Sequence, residues 1–288
     1  MRNIRRPKVK GAAFFFENHL LMGGFIVPMP KVSIVIPALN EERNIPYVFS
    51  RIPEGIHEVI MVDGQSVDRT VEVAHNLRPD VCVVSQTRKG KGNALACGFE
   101  AAKGDVIAMI DADGSADPAE IPRFVAALLD GADFAKGTRF IDDGGSDDIT
   151  RLRRLGNGML TGFFNVCYRR KYSDLCYGYN VFWRKFVPVL GLDVSSPSRA
   201  NGGTLPGDGF EVETLIHLRV AKAGLRVTEV PSHEYSRIHG VSNLNACSDG
   251  VRVLRTILAG RDGWRRPAVA PFTLPLAAPS GPEEEWVR

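Results

Sequence analysis

The sequence predicts an α/β fold in which a mostly parallel central sheet is flanked by helices. From Lys31 onward, short and nearly continuous apolar runs alternate with helical segments, and polar residues follow the runs. Continuous apolar runs are typical of parallel strands buried on both faces, whereas half-exposed antiparallel strands alternate apolar and polar residues. The predicted strands are Val32 to Ile36, Glu58 to Val62, Val81 to Ser85 and Val106 to Ile110. Residues 31–140 are therefore predicted to form a Rossmann-like half.

The helices between these strands are predicted from residues that cap helix N-termini, whose side-chain oxygens accept backbone N–H groups. The caps and their helices are Asn40 before Glu41 and Glu42, Asp68 before residues 71–77, and Asp117 with Pro118 before residues 124–129. Ligands bind at the carboxyl ends of the strands in an open α/β sheet, so the polar residues directly after each strand are the candidate site.

A second, smaller half at residues 141–262 is predicted because the pattern changes after Arg139. Its segments are a Gly/Asp-rich loop at 142–148, an amphipathic helix from about 151, a Pro/Gly/Ser-rich stretch at 195–207, a helix at 210–223, a strand at 226–230 and a helix at 249–258. Residues 263–288 are rich in Pro and Ala and end acidic, which predicts a disordered tail.

Composition restricts the class of protein. With 288 residues, 44% hydrophobic and 24% charged, the chain has the make-up of a globular enzyme. A net charge of +3 is too small to indicate nucleic-acid binding. The five cysteines lack CxxC spacing, which favours reduced thiols and a cytoplasmic location over disulfides or a zinc site. Composition leaves the oligomeric state open.

Residues 1–30 are predicted to be a flexible N-terminal arm. Basic residues precede the apolar run Ala12 to Phe16, as in a signal peptide, but Glu17 interrupts the run. No stretch reaches the roughly 20 apolar residues that span a bilayer. Met22 and Met29 precede the first strand of the central sheet, so an over-long gene start is the alternative.

The strongest candidate site is Asp111-Ala112-Asp113, directly after the apolar strand that ends at Ile110. Two carboxylates at the end of a buried strand suit a hard divalent cation, Mg²⁺ or Mn²⁺, that can neutralise a diphosphate. The alternative is that Asp113 and Gly114 only form a turn.

Acidic residues also follow the first two strands, at Glu41 and Asp63. A carboxylate in such a position can accept hydrogen bonds from a nucleoside, so both are interpreted as nucleotide contacts, with Pro37 and Asn40 beside them. Helix capping is the favoured alternative for Asn40.

A cationic, glycine-rich loop at residues 88–93 precedes the next helix. Glycines permit close backbone approach and a helix N-terminus favours anions, so Lys89, Lys91 and Gly92 are candidate phosphate ligands. The order GxxxxGK[ST] of a P-loop is absent from this segment. A solvated basic turn is the alternative.

The ordered segments VIPALNEE, VDGQSVDRT, RKGKGNALACGF, DADGSADP and KGTRF resemble family-2 glycosyltransferases of the GT-A fold. The resemblance covers about residues 31–245 and is strongest to dolichol-phosphate mannose synthases and other polyprenyl-phosphate glycosyltransferases. The resemblance implies that Pro37, Glu41 and Asp63 contact the nucleoside. It implies that Asp111 and Asp113 hold the metal and the diphosphate. Arg139 is implied at the acceptor or a phosphate.

Two later segments extend the resemblance, GDGFEVE at 207–213 and RIHGVSN at 237–243. In the second, Asn243 stands where relatives often have a lysine that contacts phosphate. His239 is a candidate third metal ligand, and an ordinary loop histidine is the alternative.

The resemblance implies a metal-dependent, inverting hexosyltransferase that uses a nucleoside-diphosphate sugar of the GDP-mannose or UDP-glucose type. A lipid phosphate such as polyprenyl or dolichyl phosphate needs no base, because its second pKa of about 6 leaves it anionic. A sugar or polysaccharide hydroxyl needs a general base, for which Asp208 is the first candidate and Glu211 the second. A sugar-nucleotide pyrophosphorylase and a non-catalytic nucleotide-binding protein are less favoured interpretations.

The predicted helix from residue 151 has basic residues at both ends and an apolar stripe formed by Leu152, Leu155, Met159, Phe163 and Cys167. Such a helix suits an anionic membrane interface, so peripheral contact with the inner face of the membrane is one interpretation. A core-facing helix with solvated ends is the other.

Overall fold

The computed structural model of the chain describes residues 30–194, 205, 207–240 and 246–260, together with three short strands between residues 15 and 28. The strands are β1 (Phe15–Phe16), β2 (His19–Met22), β3 (Phe25–Pro28), β4 (Val32–Ala38), β5 (Glu58–Asp63), β6 (Cys82–Ser85), β7 (Val106–Met109), β8 (Phe134–Thr138), β9 (Gly145–Ser146), β10 (Asn180–Trp183), β11 (Val227–Pro231) and β12 (His233–Glu234). The helices are α1 (Ile45–Ser50), α2 (Thr70–Leu77), α3 (Lys91–Ala101), α4 (Ile121–Leu129), α5 (Arg151–Tyr168), α6 (Val187–Leu190), α7 (Val212–Lys222) and α8 (Ala246–Ala259).

The central sheet has seven strands in the order β11-β8-β10-β7-β4-β5-β6. β4 lies between β5 and β7 and is parallel to both, and β6 continues the parallel set. Among the described strands of this sheet, only β10 runs against the others, and it inserts between β7 and β8. The predicted α/β fold with a mostly parallel sheet is confirmed.

The four predicted strands correspond to β4, β5, β6 and β7, each within two residues of its predicted ends. The middle of β4, β5 and β7 is inaccessible to solvent, for example at Ile34, Ile60 and Ile107, which explains their continuous apolar runs. Helix α3 packs on β4 and β5 and covers one face of the sheet. The prediction lacked β8 and β10, which complete the sheet on its other side.

The predicted helix caps have different outcomes. Asn40 has φ +58° and lies five residues before α1, and its side chain accepts the Val67 N–H at 2.8 Å, so its assignment as a cap is wrong. Asp68 accepts the N–H of Thr70, the first residue of α2, at 3.0 Å. Asp117 accepts the Ala119 N–H at 2.9 Å and caps the 3₁₀ turn that leads into α4, as predicted.

Helix α5 turns its apolar stripe outward. Its buried residues are Asn157, Thr161 and Phe164, so two polar side chains face the interior. The stripe residues Leu152 and Met159 are each 69% exposed. Cys167, the last residue of the stripe, packs against the buried cluster that contains Phe164, so a core-facing role is wrong only for the exposed residues of the stripe.

Within the predicted arm, β1, β2 and β3 form a separate antiparallel sheet. The tail at 263–288, Asn243 and most of the stretch 195–207 lie outside the described residues. Flexibility of the arm and a division of the chain at residue 140 stay predictions. None of the helices in the described part of the chain combines the length and the apolar character needed to cross a bilayer.

Candidate active site

A cleft of about 1330 Å³ opens at the carboxyl ends of β4, β5 and β7, and we call it the central cleft. Its walls come from the loops after these strands and from the start of α3 on one side, and from α5, α7 and α8 on the other. The predicted site residues that line it are Pro37, Glu41, Lys89, Lys91, Asp111, Ala112, Asp113 and Arg139. The structure thus brings most of the predicted site together.

Asp111 is 38% exposed at the central cleft and forms an ion pair with Lys91. Lys91 Nζ lies 2.7 Å from Asp111 Oδ1 and 2.7 Å from Glu213 Oε1. Burial alone would lower the pKa of Lys91, but the two carboxylates outweigh burial and raise this pKa. Burial raises the pKa of Glu213, and Lys91 opposes that rise. One charged ammonium is therefore shared between two carboxylates.

Arg237 joins two of the predicted acids. Its guanidinium lies 3.0 Å from Glu41 Oε1 and 3.0 Å from Asp113 Oδ2. The second oxygen of Asp113 accepts hydrogen bonds from the Ser115 N–H at 3.0 Å and from the Ser115 hydroxyl at 2.7 Å. Burial raises the pKa of Glu41, although hydrogen bonds from Asn44 and Arg237 lower it. The RIHGVSN segment thus contributes an arginine to the aspartate pair.

The chemistry of Asp111 and Asp113 fits a hard divalent cation, which takes one or two protein carboxylates and completes its shell with phosphate and water oxygens. Among the described residues, no group of three or more His, Cys, Asp or Glu side chains is arranged to hold a metal ion. His239 does not line the central cleft, and its backbone carbonyl accepts a hydrogen bond from Asn44 at 3.1 Å. His239 is thus not arranged as a third ligand in the structure, and its role at the metal stays a prediction.

Gly90 and Gly92 of the glycine-rich loop pack against the backbone of Gly207 and Asp208, although the sequence predicted that this loop binds a phosphate. Gly90 has φ +125°, and a Cβ built at Gly92 would lie 1.7 Å from the Gly207 carbonyl oxygen. The Gly92 N–H donates to the Asp208 carbonyl oxygen at 2.9 Å. Gly92 is therefore a packing residue outside the central cleft, and its role as a phosphate ligand stays a prediction. Lys89 and Lys91 do line the cleft.

A Gly92→Ala substitution is expected to lower the free energy of unfolding by about 1–3 kcal/mol, the usual cost of overpacking. The added Cβ collides with the Gly207 carbonyl, and urea denaturation measures the loss. Gly158→Ala on α5 is the matched control, because no atom lies within 4 Å of its Cβ. Removing a glycine from a helix is expected to stabilise the chain by about 0.5–1 kcal/mol. Unchanged stability of Gly92→Ala would contradict the close packing of Gly92 on Gly207.

Asp63 and Asn40 shape the loops predicted to hold the nucleoside. The Asp63 carboxylate accepts the N–H groups of Gln65 and Ser66, each at 3.1 Å. Neither Asp63 nor Asn40 lines the central cleft, whereas Gln65 does. Direct contact of Asp63 or Asn40 with a nucleoside stays a prediction.

Arg139 lines the central cleft, but its guanidinium is bound to carboxylates. Nε lies 2.7 Å from Asp174 Oδ2, and a terminal nitrogen lies 2.9 Å from Glu234 Oε2. Burial would lower the pKa of Arg139, but hydrogen bonds and charge from both carboxylates raise it. Any acceptor phosphate at Arg139 would have to compete with these two buried partners.

Neither candidate base lines the central cleft. Asp208 is 4% exposed, and its carboxylate accepts hydrogen bonds from Arg88 at 3.0 and 3.2 Å. Glu211 Oε1 accepts the Gly207 N–H at 3.0 Å. Since a general base must reach the proton that it removes, either residue would first have to leave these contacts, and a base role for Asp208 or Glu211 stays a prediction. Glu213, two residues further along, does line the cleft.

Comparison with known proteins agrees with this geometry. Residues 33–189, more than half of the chain, match the family model described as glycosyl transferase family 2. The chain belongs to this family.

This family-2 glycosyltransferase is 43% identical over 234 residues to an uncharacterized glycosyltransferase of Mycobacterium tuberculosis, covering 81% of this chain and 96% of the relative. It is 37% identical over 223 residues to dolichol-phosphate mannosyltransferase of Pyrococcus furiosus, where the match covers 74% of this chain and 59% of the relative. Among solved structures it is similar to glucosyl-3-phosphoglycerate synthase of Mycobacterium tuberculosis, crystallised with Mn²⁺, UDP-glucose and glycerol 3-phosphate. That similarity has a TM-score of 0.60 at 25% identity and covers 80% of each chain.

Sequence reasoning missed two functional candidates in this glycosyltransferase, Glu213 and the guanidinium of Arg237. Both lie in segments that the family resemblance marked, GDGFEVE and RIHGVSN. The signal for Glu213 is its position on α7, where a residue two places after Glu211 faces a different side of the helix. The partners of Arg237 are far away in sequence and became visible only in the fold.

Proposed function

We propose that this glycosyltransferase catalyses metal-dependent, inverting transfer of a hexose from a nucleoside-diphosphate sugar to a lipid phosphate of the polyprenyl or dolichyl type. One observation carries the proposal: the cleft that holds the aspartate pair is walled on its far side by helices whose apolar side chains are exposed. Donor chemistry and a lipid-compatible surface therefore meet in one cavity.

The donor half of the proposal is supported by Asp111 and Asp113 at the end of β7. Mg²⁺ or Mn²⁺ held there would offset the negative charge of the departing diphosphate. Lys89 and Lys91 line the same cleft and supply further positive charge. The solved relative contains Mn²⁺ with UDP-glucose. An acceptor entering from the side opposite the diphosphate inverts the anomeric carbon.

The acceptor half is supported by what we call the α5–α8 face. Helices α5 and α8 pack together, and their exposed apolar residues are Leu152, Leu155, Met159, Phe163, Val166, Val251, Leu254 and Leu258. Four of these also line the central cleft, namely Leu152, Met159, Val251 and Leu254. Exposed Arg151, Arg154 and Arg255 accompany them. Apolar side chains beside arginines suit a lipid surface with anionic headgroups.

A phosphate acceptor also agrees with the position of the candidate bases Asp208 and Glu211, which do not line the central cleft. Its oxygen is already anionic near neutral pH, so the enzyme needs cations that position it and no group that takes a proton. Transfer to a sugar or polysaccharide hydroxyl is the second candidate, favoured by the Glu213 carboxylate in the cleft. Glu213 would act as base only after releasing Lys91, which lies 2.7 Å away.

Incubation of the purified protein with Mn²⁺, labelled UDP-glucose or GDP-mannose, and polyprenyl phosphate tests the proposal. We expect a labelled glycolipid that extracts into organic solvent, that EDTA prevents and that added Mn²⁺ restores. The same polyprenol without its phosphate is the matched control and should accept no sugar. Transfer to a soluble glycan, with no labelled lipid, would overturn the lipid-phosphate proposal and favour the hydroxyl acceptor.

The α5–α8 face gives a separate prediction for membrane contact. Leu155 is 63% exposed, and Leu155→Glu is expected to reduce binding to vesicles containing phosphatidylglycerol by about tenfold, since it removes apolar contact and adds repulsion. Leu77→Glu is the control, because Leu77 is 50% exposed on α2, which does not contribute to this face. Vesicle flotation measures both. Equal losses in the two variants would indicate a general charge effect and contradict a specific face.

A further inference from the structure

Lys91 is the first residue of α3 and places its ammonium between two acids at the central cleft. Nζ lies 2.7 and 2.9 Å from the two oxygens of Asp111 and 2.7 Å from Glu213 Oε1. The side chain of Lys91 is 15% exposed and that of Glu213 is 8% exposed, whereas Asp111 is 38% exposed. Asp111 therefore faces the cleft, and Glu213 holds the ammonium from the buried side.

Asp111 is also one of the two carboxylates assigned to the metal. A divalent cation and an ammonium at one carboxylate repel each other, and the low solvent exposure of Lys91 strengthens that repulsion. Lys91 must consequently give up part of its contact with Asp111 when a cation binds there. The ion pair between Lys91 and Glu213 does not involve the metal site. The ammonium therefore keeps this counter-charge when it leaves Asp111.

Resting on the proposed function, we infer that Lys91 is a resident counter-ion. Before the donor binds, Lys91 neutralises Asp111. When the metal enters, the ammonium exchanges its contact with Asp111 for one with the donor's diphosphate and keeps its ion pair with Glu213. Lys91 and Glu213 are then positioning residues for the donor. Metal and nucleotide bind cooperatively, because the metal displaces Lys91 from Asp111 and the diphosphate binds the displaced ammonium.

The surroundings of the pair allow such a shift. Gly178 lies beside all three groups, and a Cβ built there would be 3.2 Å from Glu213 Oε1, 3.4 Å from Lys91 Nζ and 3.7 Å from Asp111 Oδ2. The absence of a side chain at Gly178 leaves space next to the ammonium on the cleft side, since Gly178 is itself a cleft-lining residue.

Asp113 has a comparable partner in Arg237, at 3.0 Å. Both carboxylates of the pair are thus charge-compensated by the chain's own cations.

The wild-type protein gives the first test. Binding of Mn²⁺ is followed by loss of the free-ion electron paramagnetic resonance signal, with and without UDP or GDP, and the Mn²⁺ that each nucleotide binds without protein is measured separately and subtracted. We expect the nucleotide to tighten Mn²⁺ binding by about tenfold or more, within the usual range for coupling between two ligands. Equal Mn²⁺ affinity with and without nucleotide would overturn the inference. No Mn²⁺ binding even with nucleotide would instead contradict metal use in the proposed function.

Lys91→Met gives the decisive test because the two explanations of Lys91 predict opposite signs. If Lys91 competes with the metal, removing its charge tightens binding of Mn²⁺ alone by about tenfold and reduces the coupling to nucleotide toward none. If Lys91 only supports the fold of the site, its removal weakens Mn²⁺ binding. Unchanged or weaker binding of Mn²⁺ to Lys91→Met would therefore reject the resident counter-ion.

Two further variants control this experiment. Lys103→Met removes an exposed lysine that follows the other end of α3 and should leave both Mn²⁺ affinity and its coupling to nucleotide unchanged. Lys91→Gln keeps a hydrogen-bond donor near both acids without the charge and should behave like Lys91→Met. Agreement between the Met and Gln variants, each checked for cooperative thermal unfolding, separates the effect of charge from a failure to fold.

Discussion

Asp111→Asn is expected to lower the turnover of sugar transfer by about 10³-fold, the rate equivalent of about 4 kcal/mol of transition-state stabilisation. The substitution keeps the size of the side chain but removes the charge that holds the cation against the diphosphate. Lys91 keeps its second partner, Glu213, at 2.7 Å, so the fold should survive. Release of nucleoside diphosphate under saturating donor and Mn²⁺ measures the loss.

Asp80→Asn is the matched control for Asp111→Asn. Asp80 is 68% exposed and pairs with Arg78 far from the aspartate pair, so its variant should retain full turnover. Retention of more than a tenth of the activity by Asp111→Asn would show that this carboxylate does not carry the metal. The observation would also remove the main support for the donor site.

The largest effect on stability is expected from Arg139→Ala, which should lower the free energy of unfolding by about 3–5 kcal/mol, as expected when a buried ion pair loses one partner. Asp174 is fully buried, and two of its hydrogen bonds come from the guanidinium, at 2.7 and 3.0 Å. Without Arg139, Asp174 and Glu234 lose this counter-charge in a buried environment. Urea denaturation at pH 7 measures the difference.

The effect of Arg139→Ala should depend on pH in a defined direction. Burial raises the pKa of Asp174, but hydrogen bonds and charge from Arg139 outweigh it, so the pKa in the folded protein lies below the ordinary 3.8. The resulting stabilisation is complete well above pH 3.8 and disappears as the pH falls toward the folded-state value. The stability gap between wild type and variant should therefore narrow below pH 3.8.

Arg226→Ala supplies the comparison, since Arg226 is 73% exposed and lies 3.5 Å from Asp133. A pair so exposed contributes about 0–1 kcal/mol. If Arg139→Ala cost no more than Arg226→Ala at pH 7, the network around Asp174 would not be a main support of this part of the fold.

The fold was predictable where burial leaves a clear pattern in the sequence. β4, β5 and β7 lie inside the sheet, so nearly every residue in them is apolar and the strands appear as continuous runs. β10 is equally buried but has only four residues, Asn180 to Trp183, which is too short a run to recognise. Its place between β7 and β8 depends on pairing across more than 40 residues, which local patterns do not encode.

The site was predictable as a location, and several roles within it were not. Residues directly after strands had to gather at one edge of the sheet, and Glu41, Asp111 and Asp113 do. The contact between Asp208 and Arg88 was not predictable, because the two residues lie 120 positions apart in the chain. Glu213 was not a candidate in the sequence analysis, because the rotation of α7 decides which side chain reaches the cleft. Tertiary packing determines both which distant residues meet and how a helix is rotated, and local sequence patterns contain neither.

The antiparallel strand β10 has a consequence for how this chain acquires its structure. Residues up to 140 contain β4 to β8, but β7 and β8 join only through residues 180–183. When only residues up to 140 have been synthesised, one edge of β7 and both edges of β8 therefore lack their partners, β10 and β11. Closure of the sheet waits for distant residues, so we expect slow, late assembly and a need to shield those edges during synthesis.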